Sequence, residues 1–326
     1  MKGYKGFEKD FKCKGMQYEV GKEFSVDGEL EICWNGLHFC EYPLDIFTYY
    51  GPSVSRFAEV EALGEIDYKN PHFDADKDSK VCTNKLKVCA EIGIPELVCA
   101  AEEYIRDNFE SEEKIITKFK NTHDLSISAN TGDLSMASNK NFQSVAVNTG
   151  DRSLARGGSA HSAAVNTGDF SVATNIGRRS AAINTGDQSA VTNAGEESAA
   201  LNVGYDSVAI NTGEHSVATT TGRESVAINE GYQSMATTIG NNVAAVVTGE
   251  SSIAVAFGCR AVAKGSLGSW IVLSEWVCGY KNGVGKEERH CVVKDVKCFK
   301  VDGKDILPDT FYKLVDGKPV VAEEKE

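Results

Sequence analysis

A mainly β chain is predicted from these 326 residues: a central parallel β-solenoid, an α+β domain before it and a β-rich cap after it. Three observations carry that prediction. From Asn130 to about Gly258 the sequence repeats every nine residues, as in Asn166-Thr-Gly-Asp-Phe-Ser-Val-Ala-Thr174. Gly holds the third position at 13 of 15 places, Ser the sixth at 13 of 14 and Ala the eighth at 13 of 14, so one backbone geometry must recur at every step. The ninth position alternates, with Val147, Val165, Ile183 and Leu201 eighteen apart and Arg156, Thr174 and Thr192 between them, so one coil is two nonapeptides and contributes two strands.

The elements divide into residues 1–120, 121–264 and 265–326. The first segment is rich in aromatics and hairpin-like punctuation up to about residue 75, then carries two expected helices, Asp78 to Glu91 and Pro95 to Phe109. Lys85, Cys89 and Ile92 are spaced for one helix face, and Leu97, Ala101, Tyr104 and Ile105 for another. Pro95 suits a first helical turn.

In the repeat, Ser-x-Ala-x is long enough for one short strand, and Asn-Thr-Gly-Asp supplies a turn whose Gly is expected to take a positive φ. Ser and Ala point to one side of that strand, and the apolar seventh position to the other. Two arrangements are open. With Ser and Ala inside, the coil is very flat and the Val/Ile rows lie outside as an apolar stripe that favours a homo-oligomer, a trimer first. With positions seven and nine inside, the core is ordinary and the surface is a lawn of Ser and Ala. The stripe comprises Val147, Val165, Ile183 and Leu201, and then, after a slip of nine residues, Ile210, Ile228 and Val246. In the last segment, Trp270 to Trp276 and Val292 to Val301 read as strands that cap the open end of the stack.

Composition excludes several functions. A net charge of -13 argues against the usual basic nucleic-acid surface, and residues 121–264 carry 12 acidic against 8 basic side chains, too few to mimic duplex DNA. No apolar run approaches a membrane span, and the first residues lack a secretory core, so a soluble cytoplasmic protein is expected. Ten cysteines without a Cys-x-x-Cys pair read as reduced packing thiols. Cys278, His290, Cys291 and Cys298 are a conceivable zinc set, but packing is the better reading of these cysteines, and no metal or cofactor is expected. Asp133, Asp151, Asp169 and Asp187 recur every eighteen residues and would stack along one edge, a candidate binding row for a partner or calcium. The single Gly and single Asp per turn fit a turn residue that hydrogen-bonds its own backbone better than a calcium loop.

Ser207-Val-Ala-Ile-Asn211 and Ser225-Val-Ala-Ile-Asn229 resemble the head repeats of trimeric autotransporter adhesins, which implies a trimer of β-rolls. This chain departs from that family in its nine-residue unit and its Asn-x-Gly turns, so adhesion does not carry over. The segments Gly3-Tyr-Lys-Gly-Phe7, Asn35-Gly-Leu-His-Phe-Cys40, Arg56 to Ala62, Gly265 to Trp270 and Pro308 to Tyr312 resemble an uncharacterised domain family of bacteriophages and prophages. That resemblance implies a phage-derived protein acting in the cytoplasm of a bacterial host. Its expected function is non-enzymatic binding and inhibition of a host protein, such as an antiviral-defence component of the CRISPR type. A virion or tail-associated part is one alternative. Another is an enzyme: Gly36-Leu-His-Phe39, the stretch to Tyr50 and the strand Phe57 to Ala62 are similar in order to ADP-ribosyltransferases, which implies a role for Tyr4 and for Glu59, Glu61 or Glu65. His38 stands where that family has Tyr, and no catalytic residue is assigned.

Overall fold

The computed structural model describes residues 1–68, 78–111, 119–121, 127–133, 135–283 and 286–322. The chain divides into two compact units, residues 1–112 and 113–326.

The first unit is a seven-stranded antiparallel sheet. Its strands are β1 (Lys2–Phe7), β2 (Glu23–Ser25), β3 (Leu37–Cys40), β4 (Arg56–Ala62), β5 (Ile66–Asp67), β6 (Lys80–Thr83) and β7 (Lys85–Ile92), in the order β2-β7-β4-β1-β3-β6-β5. The helix expected over Asp78 to Glu91 is therefore corrected to the two strands β6 and β7. Leu86 and Val88 are fully buried and alternate with the less buried Lys85 and Lys87, a period of two that pairs with β4 and outweighs the helical spacing of Lys85, Cys89 and Ile92. The second expected helix forms as α1 (Ile94–Ser111), with Pro95 in its first turn, where no intrahelical N–H is required. It buries Leu97, Val98, Ala101 and Ile105.

The second unit is a parallel β-solenoid of two strands per eighteen-residue coil. Sheet I runs in eighteen-residue steps from Met136–Asn139 to Val262–Gly265, and sheet II from Ile127–Asn130 to Ile253–Phe257. Register is kept at every step, as in Ala181↔Ala199 and Asn184↔Asn202. Ser, Ala and Asn are inside. Ala164, Ala173 and Ala182 are fully buried, as are Ser171 and Asn166; positions seven and nine point away from this interior, half-buried to exposed on sheet II and largely buried on sheet I.

A polar interior this thin is stable because its hydrogen bonds close. The Asn166 amide donates to Ser153 O (3.0 Å) and Val172 O (3.3 Å), while its Oδ1 accepts from Gly168 N at 3.0 Å. The Ser171 hydroxyl donates to Gly150 O at 3.2 Å, and Ser171 N donates to Ser189 Oγ at 3.1 Å. Most buried polar groups are thereby paired with neighbouring rungs, with Ser128 Oγ, Asn202 Oδ1 and Thr220 Oγ1 as exceptions.

Apart from Gly240 and Gly258, both at φ 155°, the turn glycines of the repeat do not take the positive φ expected of them. A methyl group at Gly186 would overlap the carbonyl of Gly168 one coil below, so Gly is required for close approach of backbones. The positive φ falls two residues later on ordinary side chains, 53° at Gln188 and 54° at Glu197. Toward the C-terminus the interior becomes apolar: Val243 and Val247 replace Ser and Asn, and Ile271, Leu273, Val301, Ile306, Tyr312 and Leu314 complete the core. Trp270–Gly283 adds to sheet II and folds back with Lys286–Lys300 as a long hairpin, while Tyr312–Val315 covers the edge of sheet I. Both edges of the last coil are thus paired.

Candidate functional site

Three places in the fold gather chemistry. In the first unit, β1 and β3 pair at a single position, Tyr4↔Cys40. The cleft beside them, about 540 Å³, is lined by Lys5, Cys13, His38, Tyr49, Tyr50 and Lys80 among others. Lys5 sits under Phe7 and Tyr18, 5.7 Å and 5.3 Å from their ring centres, and donates to His38 O at 2.7 Å and Cys13 Sγ at 3.4 Å. Burial pulls its ammonium below the ordinary lysine range, with Cys13 opposing. Tyr50 Oη donates to Cys13 Sγ at 3.0 Å. His38 Nε2 accepts from Cys33 N at 2.8 Å, and burial, with Lys14, Lys5 and Lys80 nearby, holds its imidazole at about 3. The ring is neutral, and the lone pair a general base would use is committed to the loop.

Tyr4 faces Glu59 across the β1–β4 pair, and Tyr4, His38 and Phe39 border the cleft, but Glu59 is held by Lys2 at 2.9 Å and neither Glu59, Glu61 nor Glu65 lines the cavity.

The second place is the edge carrying the Asp row. Asp151 N donates to Asp133 Oδ1 at 2.9 Å, Asp169 N to Asp151 Oδ1 at 2.9 Å, Asp187 N to Asp169 Oδ1 at 2.8 Å, and Tyr205 N to Asp187 Oδ1 at 2.9 Å. Each carboxylate caps the next rung. Burial and then its like-charged neighbours raise Asp169 above the usual carboxylate range, against the backbone N–H it accepts. Among the described residues these aspartates do not bring three ligand atoms together.

The third is the outward face of sheet II. Val147, Val165, Ile183 and Leu201 stand there in one row, half-buried. Ile210, Ile228 and Val246 do not join them. They lie on sheet I, where they are buried within the chain, as are Leu154, Val172 and Val208 beside them in the seventh position. The slip after Leu201 is thus a change of sheet, and the seven residues form two rows on two sheets. Beside the sheet II row the seventh position continues through Val217 to Met235, Ile253 and Trp270, whose exposures are 36%, 40% and 42%. Sequence reasoning missed this end of the face, although the growth from Ala199 through Val217 and Met235 to Ile253 at eighteen-residue steps is legible in the repeat; Trp270, seventeen residues on, joins the row only through strand pairing.

One pair of cysteines departs from the expected free thiols. Cys278 and Cys291 stand directly opposite in the long hairpin, Cα to Cα 4.1 Å, and form a disulfide. Of the four residues weighed as a zinc set, Cys298 lies outside this pair opposite Val272, and the His290 side chain is outside the described residues.

Among the described residues no helix is long and apolar enough to cross a membrane. Residues 1–100 match a family described as a domain of unknown function (DUF7666). No curated protein and no solved structure matches the chain.

Proposed function

We propose that this chain is a non-catalytic interaction protein whose solenoid presents the outward face of sheet II to protein partners. A β-solenoid is a fold typical of structural and binding proteins. The observation that carries the reading is the apolar face of sheet II, where Val147, Val165, Ile183 and Leu201 stand in the ninth-position row before it turns to Thr219 and Thr237, and where Val217, Met235, Ile253 and Trp270 carry the apolar surface on in the seventh-position row. A contiguous exposed apolar surface of this kind is uncommon on monomers and marks association. A second copy of the chain matches its repeat, and a trimer follows the likeness of the repeat to adhesin heads. The likeness of the flanking segments to phage and prophage proteins supports a host protein, such as a CRISPR-type defence component, as the target bound and blocked in the bacterial cytoplasm. His38, with its lone pair committed, and the Asp row, with its oxygens capping backbone, support binding over catalysis.

The test is a tagged full-length chain and its Val165→Lys/Ile183→Lys variant, compared in light scattering and in capture from host lysate. The parent is expected to be oligomeric and to retain a host protein. The variant should lose association by at least about 100-fold, because each introduced lysine would place an unpaired charge in an apolar interface. A monomeric parent, or a variant that captures the same protein equally well, overturns the reading.

A further inference from the structure

The geometry points to a zinc-class metal site made by Cys259, Cys278 and Cys291, assembled when the Cys278–Cys291 disulfide is reduced. Three separate stretches of chain converge there. Cys259 lies in the turn after Ile253–Phe257, one residue past Gly258, while Cys278 and Cys291 come from opposite strands of the long hairpin. Cys259 Sγ lies 3.1 Å from Cys278 Sγ, and the three sulfurs all fall within 4.8 Å of one another. Thiolates bound at 2.3 Å around a tetrahedral zinc ion stand about 3.8 Å apart, so the sulfurs need only small rotations to hold one ion once the disulfide opens. Among the described residues this is the one cluster with three such ligand atoms in reach.

The surroundings suit a bound cation. All three cysteines are half-buried. Phe257 and Trp276 pack edge to face at 5.2 Å beside them, and Trp276 Nε1 is held by Ser274 Oγ at 3.0 Å, which fixes an apolar wall. A cleft of about 340 Å³, lined by Ile239, Asn241, Phe257, Trp276, Cys259 and Cys291, opens onto the cluster and leaves the fourth coordination position to water or an exogenous donor. Soft thiolates select zinc or a similarly thiophilic cation over calcium or magnesium.

The chemistry balances with a dithiol as the named reductant. The dithiol gives two electrons and two protons to the Cys278–Cys291 bond and is itself oxidised to a disulfide, leaving two thiols. Binding of the metal to the three sulfurs then releases their three protons to solvent. In the oxidised chain the bridge lies within the hairpin; in the reduced, metal-bound chain the ion ties the hairpin to the last solenoid turn through Cys259.

The test uses the full-length chain, oxidised or reduced with a dithiol that is then removed anaerobically. Zinc is titrated against a chromophoric chelator, and cobalt serves as an optical probe of thiolate ligation. Reduced protein should take up one zinc per chain, with a thiolate-to-cobalt charge-transfer band, and oxidised protein should take up none at that affinity. Cys259→Ser should weaken zinc binding at least tenfold, and Cys298→Ser should leave it unchanged. Reduced protein that does not compete with the chelator overturns the inference. So does a Cys259→Ser chain, folded by circular dichroism, that binds as tightly as the parent, or a Cys298→Ser chain that loses the metal.

Discussion

Within each turn, the glycine and the residue two places later divide two demands that are often met by one residue. Gly186 gives room for the carbonyl of Gly168, whereas Gln188 takes the left-handed backbone and donates its N–H to Tyr205 O at 2.7 Å. Gly186→Ala is therefore expected to cost about 3 kcal/mol, because a methyl group is forced against immovable backbone. Gln188→Gly should change stability by less than about 1 kcal/mol, since relief of left-handed strain offsets the added freedom of the unfolded chain. Urea denaturation of the two variants distinguishes this division from a turn whose glycine carries the positive φ. A second residue sets a pH dependence. Burial, then the carboxylate of Glu224, lifts Asp206 to about 6, above the ~3.9 of an unfolded aspartate. The native state binds this proton more tightly than the unfolded state, so Asp206 favours folding as pH falls through about 6 toward 4, and that contribution is lost as pH rises. Relative to Asp206→Asn, the parent's urea midpoint should rise on acidification from pH 7 to pH 4.5. A constant difference would remove Asp206 as its source.

At the level of the element, the solenoid strand is stabilised by ladders that the pattern Asn-x-Gly-x-x-Ser encodes without announcing. Asn184 donates to Ser171 O at 3.1 Å and accepts from Gly186 N at 2.7 Å; in Asn184→Ala, Ser171 O keeps the Ala190 N–H at 2.9 Å but the Gly186 N–H loses its acceptor, which should cost about 2 kcal/mol in thermal or urea unfolding. The ladder is interrupted at Thr220, whose buried hydroxyl has no hydrogen-bond partner. Thr220→Asn should restore the row and raise stability by about 1 kcal/mol; a loss would show that the coil there is too tight for an amide. Of the two helices expected in the first unit, one was legible because Leu97, Ala101 and Ile105 keep a helical period with Pro95 at the start. The other was not. The segment from Lys85 to Ile92 satisfies both periods in part, and its pairing with β2 and β4, from distant parts of the chain, decides between them.

For the whole molecule, two compact units predict two unfolding transitions rather than one. A truncated chain of residues 1–112 should reproduce one of them; a single shared transition in calorimetry would show that neither unit is stable alone. The solenoid, in which each coil contacts its neighbours, should respond to a broken rung locally and in proportion to its distance from the capped C-terminal end. The association proposed for sheet II belongs to this scale, because a row such as Val147 to Leu201 exists only when several coils are stacked in register.

The sequence by itself determined the solenoid, its two-strand coil and the strands that close it, since a nine-residue period in small residues is compatible with one repeated backbone step. It left open which side faces inward, because Ser/Ala and Val/Ile alternate along each strand and either set can line a layer. Tertiary structure decided that question through the Asn and Ser hydrogen bonds between rungs, which form only with those side chains inside. It also assigned Ile210, Ile228 and Val246 to the opposite sheet, turned the stacked aspartates into backbone caps, and gathered Cys259 with Cys278 and Cys291. Each depends on which coils and strands become neighbours, a relation between positions far apart in the chain that no local spacing contains.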